Sequence, residues 1–175
     1  GFKTVLAGRP NAGKSSLLNA LLQEDRAIVT DMPGTTRDTI EESIRIGGIP
    51  LILMDTAGIR DAENQVEAIG IERARKSMEE ADLILMVIDG SVPLTDEDRR
   101  ILSSLEGKKA IVILNKYDLE QKAGDAEIRS LISEETPIIH LSAQYGSGID
   151  RLEELIQKLM HTEDLDAGRQ LFLTN

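Results

Sequence analysis

The stretch Gly8-Arg9-Pro10-Asn11-Ala12-Gly13-Lys14-Ser15 decides how the rest of the sequence is interpreted. It follows a short apolar run and precedes a segment with helical spacing, which is the context that a phosphate-binding loop requires. Its glycines let backbone N–H groups point at phosphate oxygens, and the helix N-terminus that follows adds positive potential. We expect Lys14 to reach the β- and γ-phosphates and the hydroxyl of Ser15 to bind Mg²⁺. The predicted nucleotide contacts in this region, called the phosphate loop below, are Asn11, Ala12, Gly13, Lys14, Ser15 and Ser16.

Strand-like and helix-like segments alternate along the chain. Short apolar runs typical of buried strands occur at residues 4–7, 51–54, 83–88, 110–114 and 138–141. Leucines and isoleucines with helical spacing lie between residues 17 and 22 and again between 152 and 159. The alternation predicts an α/β fold, a mostly parallel sheet with helices on both faces and ligands beyond the carboxyl ends of the strands. Residues 39–46 instead alternate with period two and lead into Gly47-Gly48, which predicts an antiparallel hairpin at the sheet edge.

Two further motifs lie where a γ-phosphate and its metal would be sensed. Gly34-Thr35-Thr36-Arg37-Asp38 precedes the hairpin, and we expect the Thr36 hydroxyl to complete the Mg²⁺ shell. Asp55-Thr56-Ala57-Gly58 closes the next strand, so Asp55 is predicted to hold Mg²⁺ through water and the Gly58 N–H to meet the γ-phosphate. The predicted nucleotide contacts from both motifs are Thr35, Thr36, Asp55, Thr56, Ala57 and Gly58.

Ile59 follows the second of these motifs, at a position where many GTPases carry a glutamine that orients the attacking water. An aliphatic side chain cannot align a water molecule by hydrogen bonding. Either hydrolysis is slow in this protein or another group supplies that function.

Base selection is predicted at Asn115-Lys116-Tyr117-Asp118, called the guanine loop below, which follows the apolar run at residues 110–114. The Asp118 carboxylate is suited to accept hydrogen bonds from the ring N–H and the exocyclic amine of guanine, a donor pair that adenine lacks. Losing a hydrogen-bond partner for a charged group costs about 1.5–3 kcal/mol or more, so Asp118 can select GTP over ATP. The other contacts predicted for the base are Asn115, Lys116, Ser142, Ala143 and Gln144.

Composition excludes several other classes of function. The formal net charge is -11, which disfavours broad binding of nucleic acid, because such binding requires many lysines and arginines. Only two Phe, two Tyr and no Trp are present, which disfavours base-stacking platforms as well. No apolar run is long enough to cross a bilayer. The absence of cysteine is compatible with a reducing, cytoplasmic compartment.

These four motifs, followed by Ser142-Ala143-Gln144 after the last apolar run, resemble in this order the TRAFAC-class P-loop GTPases. The fold of that class is a six-stranded, mostly parallel sheet with one antiparallel edge strand between layers of helices. The Asn11-containing phosphate loop, the Gly-Thr-Thr-Arg-Asp stretch and especially residues 66–74, Val-Glu-Ala-Ile-Gly-Ile-Glu-Arg-Ala, resemble the G domain of the MnmE (TrmE) family of tRNA-modification GTPases. The resemblance implies Mg²⁺-dependent GTP hydrolysis activated by K⁺ and coupled to dimerisation of G domains. It also implies a flavoprotein partner, MnmG, and a role in modifying the wobble uridine of certain tRNAs, with the tRNA bound mainly outside this domain.

The resemblance also assigns residues that the motifs alone leave without a function. In the family, K⁺ is coordinated by the residues at positions matching Asn11, Thr30, Met32 and Thr35. The residue matching Thr30 also contacts the nucleotide. The cation occupies the place of an arginine finger. A glutamate matching Glu67 orients the attacking water indirectly. Asn11 and Glu67 are therefore the implied catalytic residues. Neither His140 nor His161 is assigned a catalytic function.

The expected organisation is a G domain over residues 1–161 and a tail or linker over 162–175 that leads toward a helical domain. Because the chain starts at Gly1 within a strand pattern, we expect it to be an excised piece. Two alternatives stay open. A slow switch that docks partners when loaded with GTP is favoured by Ile59, and the ribosome-assembly GTPase Der shares the Gly-Thr-Thr-Arg-Asp stretch but carries two G domains in tandem.

Overall fold

One mixed sheet forms the centre of the computed structural model, which describes residues 1–25, 41–55 and 75–173. Within these residues the sheet has six strands in the order β2-β3-β1-β4-β5-β6, and β2 alone is antiparallel to its neighbour. The fold expected from the sequence is therefore confirmed. The strands are β1 (Phe2–Ala7), β2 (Glu41–Ile46), β3 (Ile49–Asp55), β4 (Leu83–Asp89), β5 (Ala110–Asn115) and β6 (Ile138–His140).

Helices cover both faces of the sheet, because the strand side chains alternate between two apolar cores. In β4, Leu83, Leu85 and Val87 belong to one core, whereas Ile84 and Met86 belong to the other. The first core includes buried residues of α1 (Lys14–Asp25) and α5 (Ile149–Leu173). The second includes those of α2 (residues 75–80), α3 (Asp96–Ser103) and α4 (Asp125–Leu131). Burial on both faces explains why β4 and β5 are continuous apolar runs rather than alternating ones.

The predicted edge hairpin is present over the residues that are described. Ile46 pairs with Ile49, and the two glycines between them have positive φ angles of 58° and 85°. Two central residues with positive φ match the twist of the flanking strands, which is why Gly-Gly suits this turn. Ile44 and Ile46 are buried on one face, as the period-two pattern predicts, while Thr39 and Ile40 lie outside the described residues.

The last helix extends further than the sequence suggests. We expected a tail or linker from residue 162, but α5 continues without a break from Ile149 to Leu173. The segment contains no proline and several strong helix formers, so the helix already nucleated at Ile149 propagates through it. The boundary at residue 161 therefore falls inside a helix, and the division into domains stays a prediction.

The topology determines where a ligand can bind. β1 lies between β3 and β4, so the strand order reverses direction around it, and crevices form beyond the carboxyl ends of the strands at such a point. The phosphate loop follows β1, the guanine loop follows β5 and residues 142–144 follow β6. All three segments leave the same edge of the sheet.

Candidate functional site

The phosphate loop is packed so tightly that its two glycines cannot carry a side chain. Gly8 has a φ of 134°, and a Cβ atom there would lie 2.3 Å from the carbonyl oxygen of Val87. Gly13 has a φ of 100°, and a Cβ atom there would lie 2.1 Å from Nδ2 of Asn115. Between them, residues 10–12 form one turn of 3₁₀ helix. The backbone is thereby held close to both β4 and the guanine loop.

Lys14 places its charge inside this loop. Its side chain is 1% exposed, and Nζ donates a hydrogen bond to the carbonyl oxygen of Gly8 at 2.7 Å. Lys14 is also the first residue of α1, and the N–H groups and dipole at a helix N-terminus attract anions. The arrangement of a buried ammonium at a helix N-terminus is chemically suited to a polyphosphate.

Of the expected Mg²⁺ ligands, Ser15 belongs to this loop and Asp55 ends a strand that pairs beside β1. Ser15 and Ser16 are exposed in the first turn of α1. Asp55 ends β3 and pairs in register with Leu6 of β1, two residues before Gly8. A hydroxyl, a carboxylate reached through water and phosphate oxygens are a donor set that Mg²⁺ accepts, because it retains several waters in nucleotide sites.

Asn115 joins the guanine loop to its neighbours. Its amide nitrogen donates to the carbonyl oxygen of Ala12 at 2.9 Å, and its amide oxygen accepts from the N–H of Ala143 at 3.0 Å. The side chain is buried, with 3% of the residue exposed. We predicted Asn115 as a nucleotide contact, and the structure shows that it connects the three segments that surround the site.

Asp118 is oriented by the segment after β6. The hydroxyl of Ser142 donates to Oδ1 of Asp118 at 2.8 Å, and Asp118 is itself exposed. Ser142 is buried and exchanges two backbone hydrogen bonds with Ser147, which closes the turn. The carboxylate is therefore held at the surface in a defined orientation, as reading a base edge requires.

A concavity of about 460 Å³ lies between α1 and the loop after β6. Ala143 and Gln144, both predicted base contacts, line one wall, and Ser16 of the predicted phosphate contacts lines the other. The other residues of the lining are Asn19, Ala20, Tyr145, Gly146 and Ile149. Ser16 and Gln144, one from each predicted half of the site, thus line the same open space.

Several predicted residues fall outside the described part of the chain. They include three of the four residues implied for K⁺, the switch threonine and the glutamate implied for catalysis. These positions are Thr30, Met32, Thr35, Thr36, Thr56, Ala57, Gly58 and Glu67. Asn11, the remaining K⁺ position, is described and is exposed in the 3₁₀ turn.

The sequence analysis did not find Asp98, which anchors the phosphate loop from α3. Its carboxylate accepts a hydrogen bond from Nε of Arg9 at 3.0 Å and another from the N–H of Thr95 at 2.9 Å. The hydroxyl of Thr95 accepts in return from the N–H of Asp98, which completes a capping box. A threonine followed three residues later by an acidic residue is the signal that could have revealed the cap. Nothing in the sequence indicates its second partner, Arg9.

Asp89, at the end of β4, is the second residue that the sequence analysis did not find. Its Oδ2 accepts from Nζ of Lys116 at 2.8 Å, and its Oδ1 accepts from the N–H of Ser91 at 2.9 Å and from the Ser91 hydroxyl. Burial alone would raise the Asp89 pKa, but these hydrogen bonds and the nearby ammonium outweigh it and hold the pKa below its usual value. Asp89 is therefore a fixed negative charge beside the guanine loop.

His140 packs against Tyr117 of the guanine loop. Its ring lies 4.9 Å from the ring of Tyr117, and Nε2 is 2.9 Å from the carboxylate of Asp125. These contacts connect β6, the guanine loop and α4.

Residues 3–116 match a family model described as 50S ribosome-binding GTPase. A protein from Heliobacterium modesticaldum named tRNA modification GTPase MnmE is 52% identical over 99% of this chain. A protein of the same name from Bacillus subtilis is 49% identical over the whole chain. This chain spans only 38% of the length of either relative.

Solved structures agree with the family match. Era of Aquifex aeolicus bound to GDP and AlF4- is 32% identical with a TM-score of 0.64, over 90% of this chain and 56% of that one. The G domain of the T. maritima FeoB iron transporter is 28% identical with a TM-score of 0.63, over 90% of this chain and 97% of that one. Among the described residues, no helix is both long and apolar enough to span a membrane.

Proposed function

Because this chain belongs to the family of GTPases whose model is described as 50S ribosome-binding GTPase, we propose that its hydrolysis of GTP is activated by K⁺ and coupled to dimerisation of G domains. The chain is a GTP-hydrolysing enzyme, and GTPases of this family depend on Mg²⁺. The observation that carries the proposal is Asn11, an exposed amide in the turn between Gly8 and the buried ammonium of Lys14. Position 11 carries an asparagine, and not an arginine or a glutamine.

The proposed cation chemistry compensates for the absence of a catalytic glutamine at position 59, which is Ile59 in this chain. A monovalent cation held by the Asn11 amide oxygen and by Thr30, Met32 and Thr35 would neutralise charge that develops between the β- and γ-phosphates. Ser15 and Thr36 would bind Mg²⁺ directly, and Asp55 would bind it through water. Dimerisation across the nucleotide face would exclude bulk solvent from the phosphates and the bound cation.

The proposed biological setting follows from the relatives named tRNA modification GTPase MnmE. Within a longer cytoplasmic protein, this domain would drive conformational changes that serve modification of the tRNA wobble uridine together with the flavoprotein MnmG. The net charge of -11 supports a tRNA site elsewhere in that protein. Ile59 keeps a slow, partner-docking switch as the second candidate.

Coupling to dimerisation is tested by the oligomeric state with a transition-state mimic. We expect sedimentation velocity to show a dimer with GDP, aluminium fluoride and Mg²⁺ in KCl, and a monomer with the same additions in NaCl. GDP alone in KCl is the control and should leave the protein monomeric. A monomer under all three conditions would exclude the dimerisation part of the proposal.

Replacing Glu67 with Ala tests the implied catalytic residue. We expect turnover to fall about a hundredfold, which is the range for loss of a group that positions or deprotonates water. The Kd for GTP should stay unchanged, because the proposed contact is to water rather than to the nucleotide. Glu63→Ala, in the same segment, is the matched control and should leave turnover unaltered. Equal turnover in the two variants would remove Glu67 from the mechanism.

A further inference from the structure

An ion pair at the carboxyl ends of β4 and β5 connects the guanine loop to the phosphate loop. Asp89 and Asn115 are paired in register as the last residues of their strands. Asp89 is 7% exposed, and each of its carboxylate oxygens accepts a hydrogen bond, Oδ2 from Lys116 and Oδ1 from Ser91. The carboxylate is therefore fixed on both sides and presents Oδ2 toward the guanine loop.

Lys116 is the residue that this carboxylate restrains. Among the described residues it is the one non-glycine residue with positive φ, at 63°, a conformation that costs an L-residue free energy. Its ammonium donates to the carbonyl oxygen of Asn11 at 3.2 Å as well as to Oδ2 of Asp89 at 2.8 Å. A lysine side chain is flexible and its ammonium has three equivalent donors, so one carbonyl contact at 3.2 Å would not hold it.

We infer that Asp89 is a positioning residue for nucleotide recognition, which acts by holding the Lys116 ammonium against the phosphate loop. Lys116 precedes Tyr117 and Asp118, so an anchored Lys116 fixes the base-reading carboxylate relative to the turn that carries Asn11. Without Asp89, the guanine loop and the phosphate loop keep the Asn115 bridge but lose their second connection. The inference rests on the guanine-nucleotide site and is independent of K⁺ and of dimerisation.

A double-mutant cycle with Asp89→Asn and Lys116→Met tests this inference. The readout is the Kd for a fluorescent GDP analogue with Mg²⁺, measured in NaCl so that K⁺ has no influence. We expect each single variant to bind about tenfold more weakly, and the double variant to bind no more weakly than Lys116→Met. Substitutions at two residues that act through one shared contact have non-additive effects on the binding free energy. An increase in Kd for the double variant equal to the product of the two single increases would overturn the inference, because Asp89 would then act independently of Lys116.

Asp96→Asn is the matched control, since it removes the same charge from an exposed carboxylate whose side chain is 94% accessible. Its Kd should equal that of the unmodified protein. Should Asp89→Asn not fold, Ser91→Ala provides the same test, because the Ser91 hydroxyl orients Oδ1 of Asp89. We expect Ser91→Ala to weaken binding in the presence of Lys116 and to have no effect in the Lys116→Met background. An equal loss in both backgrounds would overturn the inference.

Discussion

Replacing Asp118 with Asn is expected to reverse base preference from guanine to xanthine. In the proposed site the Asp118 carboxylate would accept from both the ring N–H and the amine of guanine, whereas an Asn side chain presents one acceptor and one donor. Xanthine carries a carbonyl oxygen in place of that amine, so it can accept from the new donor. Sites built around a substrate hydrogen bond discriminate by factors on the order of 10⁴ to 10⁵, and we expect a change approaching that size. Competition between GDP and XDP for the purified protein measures it.

The isosteric change keeps the fold, since Asn can still accept the hydrogen bond from Ser142 that holds Oδ1 of Asp118. Glu120→Gln is the control, because Glu120 is an exposed carboxylate two residues further along the same loop. It should leave the preference for GDP intact. GDP affinity retained in the Asp118 variant would refute the assignment of base recognition to this residue.

Replacing Gly8 with Ala is expected to cause the second large effect, a loss of stability. The added methyl group would meet the backbone oxygen of Val87 at 2.3 Å, and backbone in β4 cannot move aside as a flexible side chain can. A φ of 134° adds conformational strain to the overlap. Strain and overpacking each cost about 1–3 kcal/mol, so we expect the free energy of unfolding to fall by about 3 kcal/mol or more. Urea denaturation of the nucleotide-free protein measures this quantity.

The variant Gly107→Ala separates backbone strain from steric overlap as causes of the stability loss expected for Gly8→Ala. Gly107 has a φ of 76°, but a Cβ atom there would meet nothing within 4 Å. We expect a loss of about 1–2 kcal/mol from the left-handed backbone alone. If both variants lost the same stability, the close approach of Val87 to Gly8 would contribute nothing.

The sheet could be predicted from the sequence, and the candidate site could be proposed from it, because both depend on local pattern. Apolar runs that end in Gly, Asp or Asn locate the carboxyl ends of β1, β3 and β5, and parallel pairing brings these ends to one edge. Helices α2, α3 and α4 were predicted only as part of the general alternation, because they are short and mostly polar on one side. The C-terminal end of α5 was predicted as a tail, because its polarity hides its helix propensity.

The contacts that stabilise the site were harder to predict than its motifs. Asp89 and Asp98 are ordinary acidic residues in the sequence, and their partners, Lys116 and Arg9, lie 27 and 89 positions away. Only the folded sheet brings such pairs together. The same reason explains Asn115, whose motif indicates guanine binding but whose two hydrogen bonds join Ala12 and Ala143. Motifs identify the chemical groups of a site, whereas packing determines the contacts that position those groups.

The most direct test of the proposed activation is the rate of GTP turnover in KCl and in NaCl at equal ionic strength, measured over a wide range of protein concentration. We predict much faster turnover in KCl, with a rate per molecule that rises with protein concentration as dimers form. Equal rates in the two salts at every concentration would contradict K⁺ activation and leave the domain as a slow guanine-nucleotide switch.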